Sequence, residues 1–557
     1  MSHTKLVLSQ NSTLFLILLS LFCVNACVSP TDANHQSVKT HARPLTSANT
    51  MNLKEYIVAL FDSTATGPLQ IAGDTIQHPE TLQKAYIMHQ FEPFWVNEQG
   101  LTTKAEEFIN ALKEIRYDGL DPSDYDLTTV EKSASLIRNK KASNENFNEF
   151  ELLMSRSFLN LSNDLLMGSD TNRRNRKDWK IPNDSAADVS TIVCKAMNDG
   201  NVLKAIDLMR PQHWYYKAFS EEYKRLDNLK KTGGWDKIDM PTDSLSKDTF
   251  ESWFISLRRR LFIETSLPTD TSSGKWTKDL SDAIRHFQYT NHIRANGKAD
   301  STTIARLNID IDSKLNTLAN NMERLRWMKH DFPQPYIWVD VAKQELYYME
   351  NDSIQFNMRV VVGKPARPTT MLDARLQNIV FSPPWTVPPT IMKEDVMPGI
   401  AKRGTAYLKR KGLKVYDKNG KLVDNADINA TNIRNYKVRQ SPGDRSSLGE
   451  VKFNLLNPWS IYLHDTPHRE DFVKFYRAYS SGCIRVHHPK EFAEFLLRDS
   501  TKYSYAKIDS ICKTRKTMYV PMHRDVMVHI VYLTNALDST GHVMYLKDLY
   551  KWDAVKK

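Results

Sequence analysis

The sequence predicts an α+β multidomain protein, and three observations carry that expectation. Its 557 residues exceed what a single hydrophobic core organises. From about residue 51 to 250, apolar side chains recur at helical spacing. From about residue 334 the period falls to two, as it does in strands. Hydrophobic residues at 41% and charged residues at 25% suit globular protein rather than disorder or a membrane bundle.

The helical part reads as a scaffold over 51–250. Thr103 and Glu106 stand at capping-box spacing ahead of Phe108, Leu112 and Ile115, which share one helical face. Tyr117-Asp118-Gly119 stops that helix. Glu149 to Met167 gives another amphipathic stretch. Residues 251–310 read as a compact helical unit. It contains Ala283, Ile284, Phe287 and Gln288, an Asn296-Gly297-Lys298 turn, then Thr302, Thr303, Ile304, Leu307 and Asn308. A connecting helix over 311–333 leads into the strands.

In the β-rich part, Ile337, Val339 and Val341 alternate with other residues. Leu346–Met349 and Met358–Val362 flank a turn at Asn351-Asp352-Ser353, so they predict a hairpin. Val380, Val451 and Ile461 open further strands. A basic stretch from Lys393 to Lys421 interrupts them with Lys402, Arg403, Lys409, Arg410, Lys411 and Lys414. It reads as an inserted lid over about 392–445; the plainer alternative is a solvated surface loop. The strand domain is placed at 334–505, with 506–557 as an extension packing on it.

The N-terminus has Lys5, an apolar run from Leu14 to Val24, then Asn25 and Ala26, the pattern of a secretory signal over 1–26. The run is about half the roughly 20 residues a spanning helix needs. Val24-Asn25-Ala26-Cys27 also resembles a lipobox with Cys27 as lipid anchor, the alternative being plain cleavage after Ala26. A tether rich in Ser, Thr, Pro and His follows over 27–50. The net charge of +11 asks for an anionic partner, and export makes nucleic acid a poor candidate for it. Runs such as Arg173, Arg174, Arg176 and Lys177 are by themselves ordinary solvated surface. Of five cysteines, Cys23 lies in the signal and Cys27 at the lipobox. Cys194 and Cys512 could pair; a free thiol at Cys483, in an oxidising compartment, reads as a nucleophile.

The chemistry concentrates between Ile461 and Val486. His464 follows a short strand, Ile461-Tyr462-Leu463, and Asp471 to Tyr479 can form a short helix. Ser480-Ser481-Gly482-Cys483 turns into a second strand, Ile484-Arg485-Val486. The loop can return His464 beside Cys483 as general base and acid, which a mostly protonated thiol needs. Backbone N–H groups around Gly482 and Cys483 could hold an oxyanion, with Ser481 and Tyr462 shaping the pocket and its turn. Arg485, two residues past Cys483 on an extended strand, faces the same way and suits a peptide carboxylate. His464, His468, His487 and His488 invite a metal reading, but His487 and His488 are adjacent and no common zinc spacing is present, so no metal is expected.

Taken together, this segment resembles the catalytic motif of YkuD-type L,D-transpeptidases. The His464 to Cys483 spacing of 19, His464-Asp465-Thr466-Pro467 and Ser480 to Val486 are similar to the large Gram-negative branch of that family. Further likeness lies in Asn321–Trp327, Val361–Pro365, Trp385–Pro389, Arg439–Gly443 and Leu448–Phe453. Upstream, Pro93–Val96 and Gly119–Pro122 resemble the branch's N-terminal scaffold, and 251–310 resembles a small peptidoglycan-binding module with Asn296 where that module usually has Asp. Ser481 replaces the wider family's His, as in the large branch. Ser446 stands where that branch usually has Asn.

The resemblance implies a mainly β, sandwich-like catalytic domain with an inserted lid, and Trp385 beside Arg485 in substrate binding. It implies attack by Cys483 on the third residue of a tetrapeptide donor, loss of D-Ala, a thioester, and transfer to an acceptor amine to form a 3→3 cross-link. Water as acceptor would make the enzyme an L,D-carboxypeptidase, and a free amino acid would give exchange. The mechanism is ping-pong and uses no organic cofactor. Implied partners are peptidoglycan stem peptides and glycan, with an outer or inner membrane through the lipid; the implied location is the periplasm. Acylation by carbapenems is a further implication. A papain-like peptidase is the competing enzyme, but it needs Cys before His in chain order. A non-catalytic wall-binding lipoprotein is the competing binder.

Overall fold

The structure, a computed structural model, describes residues 52–62, 69–71, 73–76, 78–169, 176–182, 189–240, 247–264, 270–498 and 501–554. The segments read as signal peptide and tether, with Cys27, and Arg173 and Arg174 lie outside them. Four separate apolar clusters organise the rest, in the α+β multidomain arrangement the sequence predicts.

The first cluster is helical and runs from Ile57 to Met209. Its axis is the helix Asn144–Met167, whose N-terminus is closed by Ser143 and Asn146 reciprocally. That helix carries a buried carboxylate, Glu151, which accepts from the Phe94 N–H at 2.7 Å, the Trp95 N–H at 2.9 Å and the Tyr86 hydroxyl at 2.8 Å. This accounts for the Pro93–Val96 motif: the acid fixes the turn of chain that leads into the short strand Val96–Asn97. Glu151→Leu should strand those donors in an apolar core, at about 1–3 kcal/mol each. A drop of about 3 kcal/mol or more in unfolding free energy by denaturant titration, with a smaller drop for Glu151→Gln, is the expected outcome.

One cap differs from the reading above. Thr102, extended at φ −73° and ψ 159°, caps the helix Thr103–Glu114 by accepting from the Ala105 N–H. Glu106 is thereby one residue too far along to reach back, and it pairs with Arg138 instead. Gly119, at φ 70°, ends the following turn as expected.

The second cluster joins Ile238, Leu257 and Leu261 to Leu280, Ile284, Phe287, Ile304 and Leu307. The helix Lys247–Ile263 therefore packs with the 251–310 unit rather than with the scaffold. Buried Gln288 organises this unit. Its Nε2 donates to Asn296, Lys298 and Thr303, and its Oε1 accepts from the Gly297 N–H.

The third cluster is the core of the strand-rich part. It also recruits Tyr215, Tyr216, Phe219 and Leu226 from the helix Trp214–Lys231, and Ile311 to Leu325 from the helix Ile311–Arg326. The motif Asn321–Trp327 is legible here as a hub. Asn321 bonds Thr534 and Asn535, Arg324 bonds Asp553, and Arg326 reaches Glu323, Tyr216 and the Asp118 carbonyl.

The strands of this core are β1 (Tyr336–Asp340), β2 (Glu345–Glu350), β3 (Ser353–Gly363) and β4 (Leu372–Phe381). After an insertion holding β5 (Trp385–Thr386), β6 (Leu413–Tyr416) and β7 (Lys437–Gln440) come β8 (Val451–Leu456) and β9 (Tyr462–His464). Then follow β10 (Ala478–Ser480), β11 (Ile484–Val486), β12 (Met518–Pro521) and β13 (Met527–Val531). The hydrogen-bonded order is β8-β9-β11-β3-β2-β1-β13-β4, and β4 pairs back onto β8. The expected sandwich-like sheet is thus closed into a barrel, which removes its open edges. Of the expected extension over 506–557, the described residues 506–554 are not laid on the outside. β13 runs between β1 and β4, so the barrel is incomplete without them.

The fourth cluster belongs to the insertion. Val387, Met392, Val396, Ile400, Leu408, Leu413, Val415, Ile433 and Val438 form a core of their own. The sheet β6-β7-β5 lies on one side and short helices over 389–410 on the other. The basic stretch is therefore a folded cap, with its lysines and arginines mostly on its surface, rather than a solvated loop. Its core begins at Val387, ahead of the expected boundary at 392.

Candidate active site

β9 and β11 lie side by side in parallel, with Leu463 opposite Ile484 and His464 opposite Arg485. Residues two apart on a strand share a face. Tyr462, His464, Cys483 (directly before β11) and Arg485 accordingly gather on one side. On the other flank of β9, Lys452 of β8 stands opposite His464. Tyr462, His464, Cys483 and Arg485 open into a cleft of about 790 Å³ between barrel and cap, which Trp385, Tyr407, Lys411 and Trp459 also line. Lys177 and Asp178 reach the same cleft, because Lys180 and Asp178 bond the backbone of Met371 at the barrel.

The chain reaches Cys483 through a sharp turn. Ser480 Oγ accepts from the Gly482 N–H at 3.1 Å and donates to the Cys483 carbonyl at 2.5 Å. Gly482 sits at φ +118°, a conformation side chains resist. A Cβ there would meet only Pro368 O at 3.5 Å, so backbone conformation, not space, demands glycine. The same turn folds the Gly482 N–H inward onto Ser480. In the free protein the Gly482 N–H is therefore engaged by Ser480. The helix expected over Asp471–Tyr479 is a short 3-10 turn, Arg469–Val473, followed by β10. Arg477 pulls that segment straight, its guanidinium buried on the carbonyls of Val360 and Gln344.

Cys483 is half-buried, and burial pushes its thiol up, against the pull of the Tyr462 N–H and hydroxyl and of Lys452 and Arg485. Its sulfur also lies 3.9 Å from the Ser460 carbonyl. Tyr462 is held in turn by the Trp385 indole and by Lys452 Nζ, 3.9 Å from its ring centre. The imidazole of His464 is only 6% exposed. Its Nδ1 donates to the Asp465 carbonyl, which leaves Nε2 as the lone-pair nitrogen. Burial first, then the charge of Arg485, lower its pKa to about 3. Asp465 is itself pinned by the Glu450 and Thr466 N–H groups and by Arg469. Gly449 packs against it, where any Cβ would come within 2.3 Å of the carboxylate.

The resting arrangement is therefore a protonated thiol and a neutral imidazole on one face. Among the described residues no hydrogen bond joins them directly. Such contacts are often loose until substrate is bound. Arg485 binds Asp471 at 3.1 Å, so the guanidinium expected to meet a substrate carboxylate already holds an internal one. Ser481 is exposed and accepts from Arg367 at 3.0 Å. Sequence reading missed Arg367, Lys452 and Trp459. Arg367 was within reach of notice, two residues past the Val361–Pro365 motif; Lys452 lies inside the Leu448–Phe453 motif, and Trp459 carried no signal.

The other thiols are removed from this chemistry. Cys194 and Cys512 are free and buried, the first among scaffold helices and the second in the core of the strand-rich part, so the pair considered above does not form. His487 stacks on Phe472, while His468 and His488 face Glu470 and Glu491. Among the described residues, the group whose ligand atoms approach closely enough to hold a metal is His286, Asp538 and His542, away from the cleft.

Comparison with known proteins places two families on the chain. Residues 334–509 match the L,D-transpeptidase catalytic domain, YkuD, and residues 80–222 match the Scaffold domain. A Haemophilus influenzae protein named "Putative L,D-transpeptidase" is 34% identical over 254 residues, covering 43% of this chain and 51% of that protein. The chain thus spans about half the length of that curated relative. Two solved structures are similar over part of the chain. One is the Ldtfm-avibactam carbamoyl enzyme, at 11% identity and TM-score 0.19, covering 40% of this chain and 64% of that one. The other is an L,D-transpeptidase from Stackebrandtia nassauensis, at 14% identity and TM-score 0.18, covering 53% and 96%.

Proposed function

From a chain whose catalytic domain belongs to the YkuD family of L,D-transpeptidases and stands behind a scaffold domain, we propose a cysteine-dependent transferase that cross-links peptidoglycan. The observation that carries the reading is the shared face of Tyr462, His464, Cys483 and Arg485 at the base of the cleft. Cys483 attacks the carbonyl of the third residue in a tetrapeptide donor. His464 Nε2 takes the thiol proton as the S–C bond forms and delivers it to the departing D-Ala nitrogen. The acceptor amine then attacks the thioester and gives its proton to His464 Nε2, which passes it to the departing Cys483 sulfur, leaving the thiol free and a 3→3 cross-link made. The Tyr462 hydroxyl, which bonds the Cys483 sulfur, and the Cys483 N–H are assigned as donors to the developing oxyanion. Water or a free amino acid in place of the acceptor gives the carboxypeptidase and exchange reactions.

Two measurements test this. Incubation with a carbapenem should leave one covalent adduct, mapped to Cys483 by mass spectrometry. Wall material treated with the purified enzyme should gain 3→3 dimers in its muropeptide profile. An active preparation that stays unmodified by the carbapenem, or a profile without new dimers, counts against the assignment.

The remaining parts follow this reading. The 251–310 unit would hold glycan or stem peptide near the cleft, and residues 1–26 would export the chain to the periplasm. Among the described residues no helix is long and apolar enough to cross a membrane. Lipid on Cys27 is the attachment this reading includes, and Cys27→Ser should move the protein from the membrane fraction to the soluble one. A wild-type protein already soluble would favour plain cleavage after Ala26.

A further inference from the structure

The cap meets the nucleophile turn through one guanidinium. Arg367 stands in the loop after β3 with its side chain 13% exposed. Its Nη1 and Nη2 grip the two oxygens of Asp395 at 2.6 and 3.0 Å, and its Nε reaches Glu394 at 2.6 Å. Nη1 also donates to Ser481 Oγ at 3.0 Å. A fork closed on both oxygens of one carboxylate is the way arginine recognises a free carboxylate. Both acids lie on a five-residue π-helix of the cap, Met392–Val396. That backbone form is rare and is found mostly at functional sites.

The two guanidiniums of the cleft differ in what holds them. Arg485 is engaged by Asp471 from the barrel's own chain, beside His464. Arg367 is engaged by acids of a separately cored cap, and such partners can withdraw together. We propose that Arg367 is the binding site for the terminal carboxylate of a peptide donor, and that Asp395 and Glu394 occupy it in the free protein as an internal stand-in. The inference rests on the transpeptidase reading and names a subsite of the same cleft. Ser481 lies two residues before Cys483. Arg367 and Cys483 line one cleft, and the leaving D-Ala carries its carboxylate one residue beyond the carbonyl that Cys483 attacks. A donor gains the guanidinium only by displacing Asp395. The free protein consequently holds donors more weakly than the bare site would.

The test is calorimetric binding to the full mature chain carrying Cys483→Ala, with a tetrapeptide and its C-terminal amide as probes. Adding Asp395→Asn should tighten the acid about tenfold and leave the amide nearly unchanged, since one charge-assisted contact is released. Glu394→Gln should act in the same direction but less. Arg367→Gln should weaken the acid about tenfold or more, and the amide little. If acid and amide respond alike, or if both cap variants weaken the acid, the contact is only a clamp and the proposal fails. Thioester formation on the wild-type chain separates this from the parent reading. A thioester without acid–amide discrimination removes the carboxylate site alone; discrimination without a thioester removes the transferase reading and leaves the site standing.

Discussion

Cys483→Ala should produce a folded protein that forms no thioester with a tetrapeptide donor and no adduct with a carbapenem. The expectation is strong because the hydroxyls of the turn are engaged elsewhere, Ser480 with Gly482 and the Cys483 carbonyl and Ser481 with Arg367, whereas Cys483 shares a face with His464. It is also specific. Cys483 faces the cleft at the end of a glycine turn, whereas Cys194 and Cys512 are buried in hydrophobic cores. Cys194→Ser and Cys512→Ser should lose some stability, since each sets a hydroxyl in place of a buried thiol, yet both should still acylate at Cys483. Intact-mass spectrometry of the variants, beside their thermal unfolding curves, decides the matter. Full turnover by Cys483→Ala would sink the mechanism.

His464→Ala should cost about 10²–10⁴-fold in acylation rate near neutral pH, the usual range for a lost general base. The pH dependence is the sharper signature. His464 is lowered to about 3, so the imidazole stays unprotonated and competent from pH 8 down to pH 5. The thiol is raised by burial, so almost no thiolate stands ready at those pH values. Proton transfer then occurs within the attack itself, and the wild-type acylation rate should be nearly flat between pH 5 and 8. Without the imidazole only thiolate formed in solution can react. The His464→Ala rate should therefore climb about tenfold per pH unit below the thiol pKa, and the gap to wild type should narrow. A wild-type rate that climbs as steeply as the variant's would mean that His464 is not the base. Ser481→Ala removes a hydroxyl 3.0 Å from Arg367 and no proton acceptor, so it should lose far less than His464→Ala. If Ser481→Ala proves the more damaged, the roles are wrongly assigned.

The sequence by itself determined the local features, because their causes are local. The helix and strand periods, the hairpin at Asn351-Asp352-Ser353 and the Asn296-Gly297 turn depend on side chains a few residues apart. The Ser480–Cys483 turn and its partner His464 were legible for the same reason, since a 19-residue loop confines where the imidazole can return. Tertiary structure alone decided what depends on partners far along the chain. Closure of the sheet into a barrel rests on β4 meeting β8 and on β13 entering between β1 and β4, pairings that no local period encodes. The choice of Thr102 over Thr103 as cap turned on one residue's backbone angle. The cap's own core and its acids on Arg367 lie beyond local reading, because ion pairs leave no periodicity. The protonation state of Cys483 and His464 was decided last of all. Burial keeps the thiol protonated and, together with the charge of Arg485, keeps the imidazole neutral, and burial exists only once the barrel has closed around them.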